Sequence, residues 1–372
     1  MKILFDTREE TRNVTGIGTY VRNLARELRR MHRPDVVCRC IPERPAEPKI
    51  KDAARSRAVQ LANFLRNVAW KQAALPLRAF REKADLLICM DPIAPLASPV
   101  PMGVLIYDLI FLEGDAQTDA WTRYWRLMVP RCARRAGVVF TLSQATRDRI
   151  VEALGIDPKR IVVFRTGVAD HFRPLGLSAD QACRLRLKLG LPDSFLLTVG
   201  AHDPRRNLKT LLRAYGRLRK DGRFPHKLIV VGPKTPFFQE VLRETRSRGL
   251  EQDVLYLDYV RNEELVTYYN LADLYVYPSL EEGFGLTPLE AMACGCPVVT
   301  SRASSLPEVV GDAAVLVDPA SEEELGRAIA EVLSSEGLRA ELVQKGLERS
   351  RRFSWRAGAE DIVSACVERF GC

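Results

Sequence analysis

No run of 18 or more apolar residues occurs in this 372-residue chain, so it holds no segment suited to cross a bilayer as a helix. Histidine is scarce at four residues, and the nine cysteines include two C-x-C pairs, Cys38/Cys40 and Cys294/Cys296, but no C-x-x-C. That spacing argues against a zinc site. An odd, scattered set of thiols reads as reduced and buried, not as a disulfide framework. The opening stretch from Met1 to Asp6 reaches an acid after three apolar side chains. So short a stretch is no core for an export signal, and the chain is expected in the cytoplasm.

Hydrophobic residues make up 47% of the chain and charged ones 28%, and the length suits two globular domains of similar size. Lys and Arg outnumber Asp and Glu by 56 to 47, a net charge of +9. The excess is local. Residues 1–175 carry 30 basic against 19 acidic side chains, residues 176–372 carry 26 against 28, and the stretch 22–83 alone has a net charge of +10. An acidic partner is therefore to be sought on the first half of the chain.

Short β-rich apolar runs recur at 3–5, 36–41, 86–90, 104–107, 138–142 and 161–164. The pattern restarts after Pro174, at 195–199, 228–231, 254–257, 274–277, 297–300 and 314–317. Continuous Val, Ile and Leu mark strands covered on both faces, and the intervening helical stretches mark parallel sheets. The predicted fold class is α/β, with two Rossmann-like domains facing across a cleft. The first is expected at 1–173 and the second at 174–353, with a last helix at 354–372 crossing back onto the first. Ligands of such sheets bind beyond the carboxyl ends of strands, so the loops after the runs are where chemistry is to be sought.

Residues 272–301 read as strand, glycine-bearing loop, helix and strand, with seven residues between Glu282 and Glu290. Gly283-Phe284-Gly285-Leu286 offers backbone N–H groups beside a helix N-terminus, a setting for an anion. A second reading is open: Thr287 to Glu290 forms a capping box with Pro288 in the first turn, and Glu290 only closes its own helix. The pair resembles the E-x7-E motif of the retaining family 4 glycosyltransferases, which have the GT-B fold. The likeness extends through residues 291–301 and Leu306-Pro307-Glu308. It implies that Glu282 meets donor-sugar hydroxyls as a catalytic group and that Glu290 holds the nucleotide ribose. Gly283, Phe284, Gly285, Leu286 and Thr287 would line the donor.

After the run at 195–199 and Gly200 comes Ala201-His202-Asp203-Pro204-Arg205-Arg206-Asn207, then a helix rich in Leu and Arg. Cations near a helix N-terminus oppose its dipole unless an anion joins them. Family members carry a similar basic stretch that neutralises the donor diphosphate. Here Arg206 stands at the lysine position, and Ala201 replaces a frequent arginine, which leaves Arg205 as the second cation. Thr15-Gly16-Ile17-Gly18-Thr19-Tyr20 lacks the third glycine of a dinucleotide fingerprint, so NAD is disfavoured. The same stretch resembles the family's glycine-rich N-terminal loop, which would put Gly16 and Gly18 near the donor phosphate. Val260 matches a residue whose backbone reads the nucleotide base.

Tyr107-Asp108 stands where many relatives have a His-Asp pair. A tyrosine is no imidazole base at neutral pH, so Asp108 is the expected assisting carboxylate and Tyr107 shapes the acceptor pocket; a plain loop cap at Asp108 is the alternative. Ser143 resembles a serine of the acceptor domain, and a helix N-cap explains it equally. No D-x-D triplet occurs. The resemblance implies retention of configuration without metal or cofactor, the leaving diphosphate taking the acceptor's proton.

Within the basic stretch, Leu61, Phe64, Leu65, Val68, Gln72 and Leu75 follow helical spacing as a core stripe, with Arg66 and Trp70 on the opposite face. An aromatic among cations predicts contact with an anionic membrane surface; a Trp packed under a neighbouring loop is the alternative. The expectation is a hexosyltransferase using a GDP-mannose-type donor first, UDP- or dTDP-sugars next. Its acceptor would be a glycan or lipid-linked sugar of cell-surface polysaccharide, with no nucleic-acid partner. A sugar-nucleotide epimerase or hydrolase, or a silent binding protein of the same architecture, stays open.

Overall fold

The structure, a computed structural model, describes residues 1–11, 16–43, 57–112, 120–220 and 224–371. The chain divides into two compact units, Met1–Gly167 with Ser354–Cys372, and Val168–Phe353. The first boundary falls at Gly167, before the expected 173, because Phe172 turns into the second unit and packs edge-on against Tyr269 at 5.9 Å.

In the first unit, β1 (Lys2–Asp6), β2 (Val37–Ile41), β3 (Leu86–Cys89), β4 (Met102–Leu105), β5 (Val138–Thr141) and β6 (Ile161–Val163) form one sheet. All pairings are parallel, in the order β2-β1-β3-β4-β5-β6. Helices α1 (Ile17–Arg30), α2 (Arg57–Ala69), α3 (Leu75–Arg81), α4 (Ala120–Arg135) and α5 (Gln144–Leu154) lie between the strands in sequence. β3, β4 and β5 are buried at every residue, as their unbroken apolar runs require.

The second unit repeats the plan with β7 (Phe195–Val199), β8 (Lys227–Val231), β9 (Val254–Leu257), β10 (Leu274–Tyr277), β11 (Val298–Ser301) and β12 (Val315–Val317). Its helices are α6 (Ala179–Leu189), α7 (Leu208–Lys220), α8 (Phe238–Ser247), α9 (Asn262–Leu271), α10 (Leu286–Ala293), α11 (Leu306–Val310), α12 (Glu322–Ser334) and α13 (Glu336–Ser350). The parallel order β12-β11-β10-β7-β8-β9 reverses direction between β7 and β10. In open α/β sheets the crevice at such a reversal is where ligands bind. The last helix, α14 (Trp355–Phe370), belongs to the first unit, where Arg165 Nη2 pairs with Asp361 Oδ1 at 2.6 Å.

The helix with Arg66 and Trp70 faces the opposite way from the sequence expectation. Leu61 and Leu65 are 58% and 56% exposed, while Asn67 and Lys71 point inward. A π-helical turn over Trp70–Ala74 shifts the helical phase before α3, so Leu75 is buried while the earlier leucines are not. The inward pull comes from charge: Lys71 Nζ lies 2.7 Å from both Asp6 Oδ2 and Asp91 Oδ1, at the carboxyl ends of β1 and β3. Trp70 is half-buried and held against the first unit. Its indole N–H donates to Asp6 Oδ2 at 3.2 Å, the Arg8 guanidinium covers its ring at 4.4 Å, and its side chain packs on the core. Arg66 is exposed and donates to Asn63 Oδ1.

Candidate active site

The reversal crevice of the second unit is built from two loops. After β7 the chain passes Gly200 to Asp203 and makes a tight turn over Pro204–Arg206. It then enters α7 through Asn207, held in the left-handed region at φ 56°. Asn207 Nδ2 donates to the carbonyls of Pro278 at 3.1 Å and Pro319 at 2.7 Å, and Thr210 Oγ1 donates to its Oδ1. Arg205's own carbonyl accepts from Leu280 N at 2.8 Å, and Ser279 Oγ lies 3.0 Å from it. These bonds tie the arginine loop to the glutamate loop after β10, so the charged side chains meet in a fixed setting.

Glu282 is the hub of that setting, with 8% of its side chain exposed. Its Oε1 accepts from Tyr277 OH at 2.8 Å, from Ser279 Oγ at 2.7 Å and from Arg206 Nη1. Arg205 Nη1 reaches Oε2 at 3.4 Å. Arg206 also lies over the Tyr277 ring at 5.2 Å, and its Nε is buried without a hydrogen-bond partner. From below, Ser305 Oγ donates to the carbonyl of Phe284 at 2.8 Å and lies 3.0 Å from that of Glu282, which fixes the loop as it turns into α10.

The turn ends at Gly285, the residue before α10, at φ 106° with a Cβ position 2.6 Å from Leu306 Cδ2. Only glycine combines that φ with that contact. α10 starts at Leu286 and has no side-chain cap, so the capping-box alternative is set aside: Thr287 and Pro288 already lie inside the first turn. Glu290 instead points to α9, where Tyr269 OH donates to Oε2 at 3.3 Å. Burial pushes the Glu290 carboxyl up to about 7, and the tyrosine hydroxyl only partly offsets this. Gly283, Phe284 and Gly285 are buried and Leu286 and Thr287 half-buried, at a helix start that no side chain caps and in the same loop as Glu282 with its two arginines; the start of a helix carries partial positive charge, which suits a phosphate. Val260 sits at the same carboxyl edge, in the loop between β9 and α9.

The remaining expected residues belong to the first unit. Gly16 precedes α1 with φ 59° and ψ −129°, Gly18 is buried inside that helix, and Thr15 lies outside the described residues. Tyr107 is buried, donates to Met90 O at 2.9 Å and packs on Tyr20 at 5.2 Å, so it forms a wall. Asp108 Oδ1 accepts from Ile110 N at 3.2 Å, at the start of a short turn. Ser143 is fully buried and caps α5, accepting from Thr146 N at 3.1 Å and donating to Thr146 Oγ1 at 2.9 Å; as a cap it has no surface to offer an acceptor. Sequence reasoning missed Tyr277, Ser279, Asn207, Tyr269 and Ser305. Tyr277 and Ser279 follow the strand at alternate positions, which puts them on one face, but nothing in the sequence says which face.

Two family profiles match the chain: the one described as Glycosyltransferase Family 4 over residues 14–172, and Glycosyl transferases group 1 over residues 184–349. Among curated relatives, O-antigen chain mannosyltransferase B of Escherichia coli is 30% identical over 98% of this chain and 99% of its own length. Serotype-specific mannosyltransferase WbdA of Escherichia coli is 32% identical over 59% of this chain, but the match spans only 27% of that much longer protein. Among solved structures, Anabaena HepE in complex with UDP and glucose has a TM-score of 0.75 at 20% identity, covering 99% of this chain and 100% of that one. WaaG, a glycosyltransferase involved in lipopolysaccharide biosynthesis, has a TM-score of 0.71 at 16% identity, with full coverage of both chains. At these identities the structural likeness speaks for the fold, which is GT-B.

Proposed function

This chain belongs to glycosyltransferase family 4, and from that premise we propose that it moves a hexose, mannose first among them, from a nucleotide diphosphate sugar to a glycan or lipid-linked acceptor in cell-surface polysaccharide synthesis. The strongest support is the meeting of Arg205, Arg206 and Glu282 at the uncapped start of α10, in the reversal crevice of a parallel sheet. A donor fits that arrangement end to end. Its diphosphate takes the two guanidinium groups and the loop N–H groups, its sugar hydroxyls donate to Glu282, and its ribose diol donates to Glu290. The backbone of Val260 is assigned to the base. Mannose is favoured because two relatives at 30% and 32% identity are named mannosyltransferases.

Cleaving the glycosidic bond to the diphosphate builds negative charge on the departing oxygen. Arg205, Arg206 and the helix start are fixed before the reaction and stabilise that charge as it grows. The acceptor hydroxyl loses its proton to the same departing phosphate, so the new bond forms on the face where the old one broke. Incubation with GDP-mannose and a mannose-terminated oligosaccharide, in the presence of a chelator, is expected to give an α-linked product by NMR. UDP-glucose and dTDP-sugars serve as competing donors. Donor turnover with no glycoside would turn the reading to a hydrolase or epimerase. Tight binding of the sugar nucleotide without turnover would turn it to a binding protein.

A further inference from the structure

We propose that Glu282 competes internally with the donor's diphosphate and so makes the site favour a sugar-bearing nucleotide over the bare nucleoside diphosphate that the reaction leaves behind. The inference rests on the reading that Arg205 and Arg206 receive that diphosphate. Both arginines are already engaged by Glu282, Arg206 through Nη1 to Oε1 and Arg205 through Nη1 to Oε2 at 3.4 Å. The site is only partly wet, with side-chain exposures of 8% for Glu282, 15% for Arg206 and 31% for Arg205. Like charges brought together there repel with little screening. A diphosphate must therefore displace the carboxylate or share two guanidinium groups with it, and either course costs affinity.

An attached sugar changes the balance. Its hydroxyls are donors, and an ionised carboxylate has room for about four acceptor contacts. Tyr277 OH and Ser279 Oγ, at 2.8 and 2.7 Å from Oε1, keep Glu282 in place while it exchanges the arginines for the sugar. Once the sugar has left, those donors are gone, the buried carboxylate pulls back on the arginines, and the nucleoside diphosphate is released. The buried Arg206 Nε has no hydrogen-bond partner and is a donor ready for the incoming phosphate before the exchange. Glu282 thus sets a ratio of affinities in addition to touching the sugar.

The test uses calorimetric titration of the full chain with GDP, UDP, GDP-mannose and UDP-glucose at fixed ionic strength. Glu282→Gln keeps the shape and the contacts to Tyr277 and Ser279 but removes the charge. It should bind the nucleoside diphosphate on the order of tenfold more tightly than wild type, as removal of one close like charge implies. The preference for the sugar nucleotide over its nucleoside diphosphate should fall towards one. Glu282→Asp keeps the charge, and its nucleoside diphosphate affinity should stay near the wild-type value. Unchanged or weaker binding by Glu282→Gln would overturn the proposal, as would equal tightening in Glu282→Asp. Failure of wild type and both variants to bind any nucleoside diphosphate would overturn the donor reading itself and the competition with it.

Discussion

Glu290 shows how one buried carboxyl couples position to pH. With 8% of its surface exposed and one tyrosine donor, it is pushed up to about 7 from its ordinary 4.5. A raised carboxyl stabilises the fold below pH 4.5, and that contribution is lost as the pH rises through about 7. Ribose hydroxyls donate to the ionised form, so binding pulls the proton off. Nucleoside diphosphate affinity is therefore expected to rise with pH up to about 7 and then level off, and Glu290→Gln should flatten that rise. Titrations at several pH values check it; an equally steep rise in the variant would remove Glu290 from the ribose.

Elements differ in how far their own residues settle them. Among the described residues the strands lie near the apolar runs, and most firmly at β3, β4, β5, β7, β10 and β11, which are buried at every residue, so they must be apolar throughout and local composition decides them. The loop after β10 reads from its residues as a glycine-bearing turn into a helix, which is what forms; the roles of Glu282 and Glu290 come only from the resemblance. α2 was not legible. Its leucines at helical spacing read as the buried stripe, yet Lys71, Asp6 and Asp91 are far apart in sequence and their pairing turned the helix over. Periodicity carries no record of a charge waiting in the sheet. The same pairing makes a firm prediction. Lys71 is 3% exposed, and Lys71→Met leaves two buried carboxylates facing each other uncompensated. Unfolding by urea at neutral pH should show a loss of about 3–5 kcal/mol. The loss should shrink in mild acid, because Asp91 already sits at about 6 through burial even with its lysine present. A cost that does not change with pH would mean that packing, not charge, sets the facing of the helix.

Over the whole molecule, the two units have the same parallel-sheet plan and different charge balances. Basic excess belongs to the first half of the chain, near-neutrality to the second. Each reversal crevice holds its own ions: Lys71 lies between Asp6 and Asp91 in the first unit, and Arg205 and Arg206 around Glu282 in the second. The first set is a buried lock. The second is more open and leaves a donor unused, as a binding site requires. The account turns on that second crevice binding a diphosphate, so the most direct measurement titrates GDP-, UDP-, dTDP- and ADP-sugars, with their nucleoside diphosphates and nucleosides, into wild type and the Arg205→Ala/Arg206→Ala variant. One base class should bind wild type. The variant should lose on the order of a hundredfold for both phosphorylated forms and little for the nucleoside, as two charge-assisted contacts imply. An equal loss for the nucleoside, or no sugar nucleotide bound by wild type, would contradict it.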